Sequence, residues 1–239
     1  MTLVIAHRGA SAYAPENTMP AFELAVRQGA DMLELDVQRS ADGVLVIFHD
    51  DTTERWDGRR RLASSCTLAE LLALDIGGAQ VTTLAEVCAF ARERGVRLNV
   101  ELKAAGFGVS VARMLRDAQI EELVLISSFV ETALLEFAAA SPHIPRAYLM
   151  GTESYRPDVR LREAWPFGAL RRTGARAWHP AAQLPLLDWL SLSLMYDLFA
   201  RNSLLPDAMG GSSSGWGVAS DLSVGLRLSI TRSVQAFSF

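Results

Sequence analysis

Lysine is nearly missing from this chain of 239 residues: Lys103 stands alone beside 22 arginines. Cysteine is scarce as well. Cys66 and Cys88 are too few for a disulfide framework and lack metal-ligand spacing, so a reducing, cytoplasmic compartment is expected. No uninterrupted apolar run reaches the roughly 18 residues of a membrane span; the best approach, from Trp189 to Leu205, is broken by Asp197 and Arg201. The first residues read directly as a strand, with no basic region leading into a long apolar stretch, so no signal peptide is expected. No strong charge bias exists either. A net charge of −4 argues against a nucleic-acid partner or stable membrane insertion and leaves oligomeric state open.

What remains is half apolar and about one-fifth charged, a globular composition with enough length for one large core. Leu3–Ala6 reads as a strand that stops at His7-Arg8-Gly9. Asn17 is a candidate N-cap for a helix over Thr18–Gln28, closed by Gly29. Met32–Val37 forms a second strand. The turn Ser40-Ala41-Asp42-Gly43 leads to a third, Val44–Phe48, too near for a parallel crossover and therefore a hairpin excursion. Thr52–Ala63 is polar and arginine-rich, an expected exposed loop. Helices are expected over Thr67–Leu74 and Thr83–Arg94, the latter opened by the capping-box pattern Thr83-x-x-Glu86.

Strands at Arg97–Leu102, Leu123–Ile126, Arg146–Leu149 and Ala175–Trp178 then alternate with helices near Val109–Ala118, Glu131–Ala140 and Arg160–Arg172. That alternation implies α/β architecture with a parallel sheet. From Trp189 the composition changes abruptly: eleven serines, no glutamate, no lysine, and the low-complexity run Gly210–Gly215. Here Leu186–Ala200 reads as a helix and Val224–Ile230 as a strand. The break suggests a frame-altered or otherwise replaced tail. The expected division is a barrel domain over 1–188 and an atypical Ser/Gly-rich segment over 189–239.

Chemistry gathers at strand tips. Glu34 and Asp36, two apart on a strand, share one face, as do Glu101 and Lys103. Three carboxylates, Glu34, Asp36 and Glu101, suit a hard divalent cation such as Mg²⁺ or Ca²⁺. They can equally be solvated or paired with arginine, but a strand as apolar as Met32–Val37 is expected to be buried, where charge needs a counter-charge. His7 and His49 each end an apolar strand and could act as an acid and base pair; His49-Asp50 also fits a plain turn. His143 and His179 read as structural. Arg8 and Lys103 supply fixed positive charge for an anion or phosphate. A phosphodiester suits these parts.

The stretches His7-Arg8-Gly9-Ala10, Pro15-Glu16-Asn17-Thr18, Glu34-Leu35-Asp36-Val37, Asp42-Gly43, His49-Asp50-Asp51-Thr52, Glu101-Leu102-Lys103 and Ser127-Ser128-Phe129 together resemble the glycerophosphodiester phosphodiesterase family. The resemblance spans roughly Leu3 to Asp188. It implies a TIM (β/α)8-type barrel and divalent-metal hydrolysis of small glycerophosphodiesters to sn-glycerol 3-phosphate and an alcohol, within glycerol and lipid metabolism. On matching positions Glu34, Asp36 and Glu101 would be metal ligands, His7 and His49 the acid and base, and Arg8 and Lys103 the phosphate-binding cations.

The chain departs from the family in two places. Thr53-Glu54-Arg55-Trp56-Asp57-Gly58 replaces an Arg-Thr-Thr-like run. The closing strands, Trp-Thr-Val-Asn-like and Gly-Val-Asp-Gly-Ile-Ile-Thr-Asp-like, are not found, so closure is expected to be atypical or missing. Two catalytic alternatives stand beside this reading: a lysophospholipase D-like enzyme acting on lipid diesters, with Trp56, Phe129 and Trp178 as a pocket floor, and a serine hydrolase built on Gly211-x-Ser213-x-Gly215. The latter motif lacks the strand it requires before it. A third alternative is an impaired barrel that binds metal or phosphate without turnover.

Overall fold

The computed structural model describes residues 3–151, 167–175, 177–187, 190–200 and 222–232. The chain divides into two compact units, Met1–Arg146 and Ala147–Phe239. The first holds strands β1 (Ile5–His7), β2 (Met32–Arg39), β3 (Leu45–Ile47), β4 (Thr82–Thr83), β5 (Arg97–Leu102) and β6 (Val124–Ser128). Its helices are α1 (Met19–Arg27), α2 (Glu54–Asp57), α3 (Leu68–Leu72), α4 (Leu84–Arg94), α5 (Gly108–Asp117) and α6 (Glu131–Ala140).

β2 is the organising strand. Seven of its eight residues are buried, the expected signature of a strand covered on both faces. β5 runs parallel along one edge, from Met32 opposite Arg97 to Val37 opposite Leu102, and β6 continues parallel beyond β5. The other edge is shared. β1 pairs in parallel with Met32–Glu34, while β3 pairs antiparallel with Val37–Arg39. The sheet is therefore mixed, because the connection from β2 to β3 is a tight turn and only an antiparallel return fits it. The strands described in this first unit do not form a closed barrel.

Helices pack on this sheet through apolar stripes. In α4, Leu84, Val87, Cys88 and Ala91 recur at helical spacing and are all buried. Its N-terminus carries the expected capping box: Thr83 accepts from the Glu86 amide, and Glu86 accepts in return from the Thr83 amide at 2.8 Å. The same box at Thr67 and Glu70 opens α3. α5 and α6 lie close because Gly108 has no side chain; a Cβ there would sit 3.0 Å from the Phe137 nitrogen.

Residues between β3 and α4 make a small core of their own. Val46, Phe48, Ala63, Cys66, Leu71, Leu74, Ile76 and Val81 are buried together, with Trp56 packed against them. At roughly 1.5–3 kcal/mol per large apolar side chain, this burial is enough to order the segment. The expected exposed loop over Thr52–Ala63 is thus corrected. It contains α2 and a Thr52–Leu62 bridge, and Thr53 is fully buried, bonding Asp57 and the Arg59 carbonyl.

Two further expectations change. Asn17 is not the cap of α1; Thr18 occupies that position, and Asn17 is buried at a positive φ of 58°. In the second unit, the described parts of the helix expected over Leu186–Ala200, residues 186–187 and 190–200, are extended and not helical. β7 (Arg146–Gly151) pairs in parallel with β8 (Ala177–Leu187), which pairs antiparallel with β9 (Leu190–Ala200), and β9 pairs with β10 (Leu222–Arg232). The sequence Leu190-Ser191-Leu192-Ser193-Leu194 alternates with period two, which suits a strand and not a helix. A helix, α7, covers Phe167–Thr173. The rest of the helix expected over Arg160–Arg172 and the Gly211–Gly215 motif lie outside the described residues.

Candidate functional site

The C-terminal ends of β1, β3 and β5 meet β2 between Glu34 and Val37, and the residues singled out from the sequence gather there. Glu34 and Asp36 project from one face of β2. Glu101 projects from the same face of β5, opposite Asp36 in register. All three are buried, and a carboxylate oxygen of each lies within 4.8 Å of the others. Three buried carboxylates this close repel one another. Burial and then Asp36 push the Glu34 carboxyl up to about 8, and burial also raises Glu101, partly offset by Lys103.

Two cations answer this charge. Lys103 Nζ lies 3.1 Å from Glu101 Oε1 and 3.4 Å from Asp36 Oδ1. Burial pulls its ammonium down, but Glu101 and Asp36 outweigh that, and the net direction is upward. Arg8 offers its backbone amide to Glu34 Oε2 at 2.9 Å and places Nε 3.4 Å from Asp36 Oδ2. The turn that allows this has Arg8 at φ 57° and Gly9 at φ 79°. Gly9 is required twice over, since a Cβ would lie 2.8 Å from the Ala21 backbone. Even with both cations the Glu34 carboxyl is not stabilised as an anion. The donor set is three hard oxygens short of positive charge, and it fits a divalent cation.

The histidines flank the carboxylates. The His7 side chain is 70% exposed, with Nε2 3.8 Å from Glu34 Oε2; partial desolvation at the cluster and then the charge of Arg8 lower its pKa. The imidazole is therefore neutral near pH 7. His49 follows β3, whose end is tied to β2 by the Phe48 amide on the Asp36 carbonyl. Gln38 fixes the next turn by donating to the carbonyls of Phe48 at 2.9 Å and Asp50 at 2.8 Å. His49 Nδ1 lies 2.9 Å from Asp50 Oδ1. That contact selects the tautomer with the proton on Nδ1 and leaves Nε2 free. A small recess beside His49 is lined by Glu16, Asp50, Trp56 and Ile76.

All seven expected site residues thus share one end of the sheet: His7, His49, Glu34, Asp36, Glu101, Arg8 and Lys103. Four supporting residues carried no role at the site in the sequence reading. Asn17 Nδ2 donates to Asp36 Oδ2 at 2.8 Å while its Oδ1 accepts from the Asp36 amide. Glu16 receives Arg8, Asp50 holds His49, and Gln38 pins the backbone around it. One signal was available for Asn17: it directly precedes Thr18, a second capping residue, so one of the two was free for other use. Of the proposed aromatic floor, Trp56 is half-buried and Phe129 is exposed, while the side chain of Trp178 lies outside the described residues.

The model of the glycerophosphoryl diester phosphodiesterase family matches residues 7–185. Among curated relatives, a glycerophosphodiester phosphodiesterase of Bacillus altitudinis is 36% identical over 176 residues, 68% of this chain and 72% of that protein. One from Caldanaerobacter subterraneus is 36% identical over 156 residues, 60% of this chain and 64% of the relative's length. Among solved structures, an Oleispira antarctica phosphodiesterase in complex with the product sn-glycerol-3-phosphate aligns with a TM-score of 0.60 at 31% identity, covering 75% of each chain.

Proposed function

This chain belongs to the glycerophosphoryl diester phosphodiesterase family of enzymes, and from that premise we propose that it hydrolyses glycerophosphodiesters to sn-glycerol 3-phosphate and an alcohol. The observation that carries the reading is the convergence of two imidazoles, three buried carboxylates and two cations at one sheet end. The product bound by the Oleispira relative supports the substrate class.

Glu34, Asp36 and Glu101 would hold a divalent cation, Mg²⁺ or Ca²⁺. Bound there, it supplies Lewis-acid neutralisation of the phosphoryl oxygens. Arg8 and Lys103 bring fixed positive charge to the same anion. One neutral histidine takes a proton from the attacking water as the water oxygen bonds to phosphorus. The other, protonated, gives its proton to the leaving alkoxide as the phosphorus–oxygen bond breaks, so a molecule of water is added overall. Asp50 orients His49 for this exchange through the Nδ1 contact.

The catalytic part is assigned to a barrel domain over residues 1–188, with 189–239 as a separate segment; the family match ending at 185 supports that division. No helix among the described residues is long and apolar enough to cross a membrane. Two free, buried cysteines support a cytoplasmic site of action.

The test is release of glycerol 3-phosphate from glycerophosphocholine with and without Mg²⁺ or Ca²⁺. Wild type is expected to turn over only with the cation. His49→Ala and Glu34→Ala are expected to lose at least about 100-fold in rate. Full activity in either variant would overturn its assigned role, and full activity in EDTA would restore the serine-hydrolase alternative.

A further inference from the structure

The geometry points to Arg55 as a positioning residue that holds Asp50, and through it His49, against the carboxylate half of the site. This rests on the phosphodiesterase reading above. Arg55 lies on α2, the short helix inside the excursion between β3 and α4. Its guanidinium sits 4.4 Å over the Trp56 ring, which is itself packed on the excursion's core. From that platform Arg55 Nη1 reaches Glu16 Oε1 at 2.8 Å. The same Glu16 oxygen receives Arg8 Nη1 at 3.3 Å. Glu16 therefore joins two arginines from distant parts of the chain.

The second contact of Arg55 matters more. Its Nη1 lies 3.7 Å from Asp50 Oδ2, an oxygen that is buried and has no hydrogen-bond partner among the described residues. The other Asp50 oxygen faces His49 Nδ1 at 2.9 Å. A buried carboxylate oxygen without a donor needs nearby positive charge to offset its lost hydration and hold it in place. Arg55 supplies it. The result is a continuous chain of charge: His49, Asp50, Arg55, Glu16, Arg8 and Asp36. Removing Arg55 leaves Asp50 free to rotate and its imidazole unaimed, without touching a phosphate contact or a carboxylate of the buried cluster.

The expected result of Arg55→Ala is a fall in kcat of about tenfold, below the roughly 10²–10⁴ that acid–base catalysis contributes as a whole, with KM changed less than about threefold. Arg55→Lys, which keeps the charge, is expected to recover most of the loss. In a His49→Ala background the further change Arg55→Ala is expected to cost nothing, because both act through one group.

Four results would overturn the proposal. A rise in KM at constant kcat would make Arg55 a substrate contact. Equal, additive losses in the wild-type and His49→Ala backgrounds would separate it from His49. A large drop in melting temperature shared by Arg55→Ala and Arg55→Lys would make it a folding residue only. Unchanged kinetics with an active wild type would refute the Arg55 assignment alone, whereas an inactive wild type would refute the phosphodiesterase reading.

Discussion

Glu34→Gln is expected to make the metal-free protein more stable while removing its activity. In the folded protein the Glu34 carboxyl is raised from 4.5 to about 8, first by burial and then by Asp36. At about 1.4 kcal/mol per tenfold change in proton affinity, that difference reaches about 5 kcal/mol at its full extent. At pH 7 the folded carboxyl must take up a proton that the open chain would have lost, a cost of about 3 kcal/mol.

The sign follows from proton counting. Between pH 4.5 and 8 the folded state binds more protons than the unfolded state, so wild-type stability falls as pH rises through that window. Glutamine does not titrate, and its carbonyl can still accept the Arg8 amide that now reaches Glu34 at 2.9 Å. Melting curves in EDTA should show the variant higher by roughly 6–12 °C at pH 7, with the gap closing below about pH 4.5. Added Mg²⁺ or Ca²⁺ should raise wild type and leave the variant unmoved. A gap that is absent, or equally large at pH 4.5 and 8, would refute the view that three crowded carboxylates await a cation.

Asn17→Ala is expected to cost about 2–3 kcal/mol by melting, since it removes two bonds to Asp36 and leaves alanine at a positive φ. Asn17→Gly relieves the backbone but not the lost bonds, so it should recover stability more than activity. Thr83→Ala, which removes the α4 capping box, a set of bonds between Thr83 and Glu86 that includes no site residue, should cost about 1 kcal/mol in denaturant unfolding and leave kcat unchanged.

Much of this site was legible because its residue types are costly where they sit. Carboxylates at alternate positions of an apolar strand, and histidines ending two others, have few cheap explanations, and Glu34, Asp36, Glu101, His7 and His49 meet as their spacing implied. The β2–β3 hairpin was equally plain, since a four-residue polar turn allows only an antiparallel return. The supporting residues were harder. Asn17 looks like a helix cap because the same side chain can bond a local amide or a distant carboxylate, and only tertiary structure chooses. Arg55 sat in a segment read as an exposed loop, because its polar surface hides the small core beneath it. The stretch over Leu186–Ala200 misled for another reason: a leucine-rich run supports either period, and its serine alternation was the decisive detail.

The shared edge of β2 has a consequence for how this protein can vary. β1 meets it at Met32–Glu34 and β3 at Val37–Arg39, so the strand that ends at His7 and the strand that leads to His49 are measured off along one backbone. From the register position of His7 at Glu34 to that of Ile47 at Val37 is three residues, about 10 Å of strand. β2 acts as a ruler, and the offset between the end of β1 and the end of β3 is recorded in its length rather than in the loops. Loops on either side can lengthen or shorten without erasing that record. A single residue gained or lost between Glu34 and Val37 would shift one imidazole against the other and turn a carboxylate to the wrong face in the same stroke.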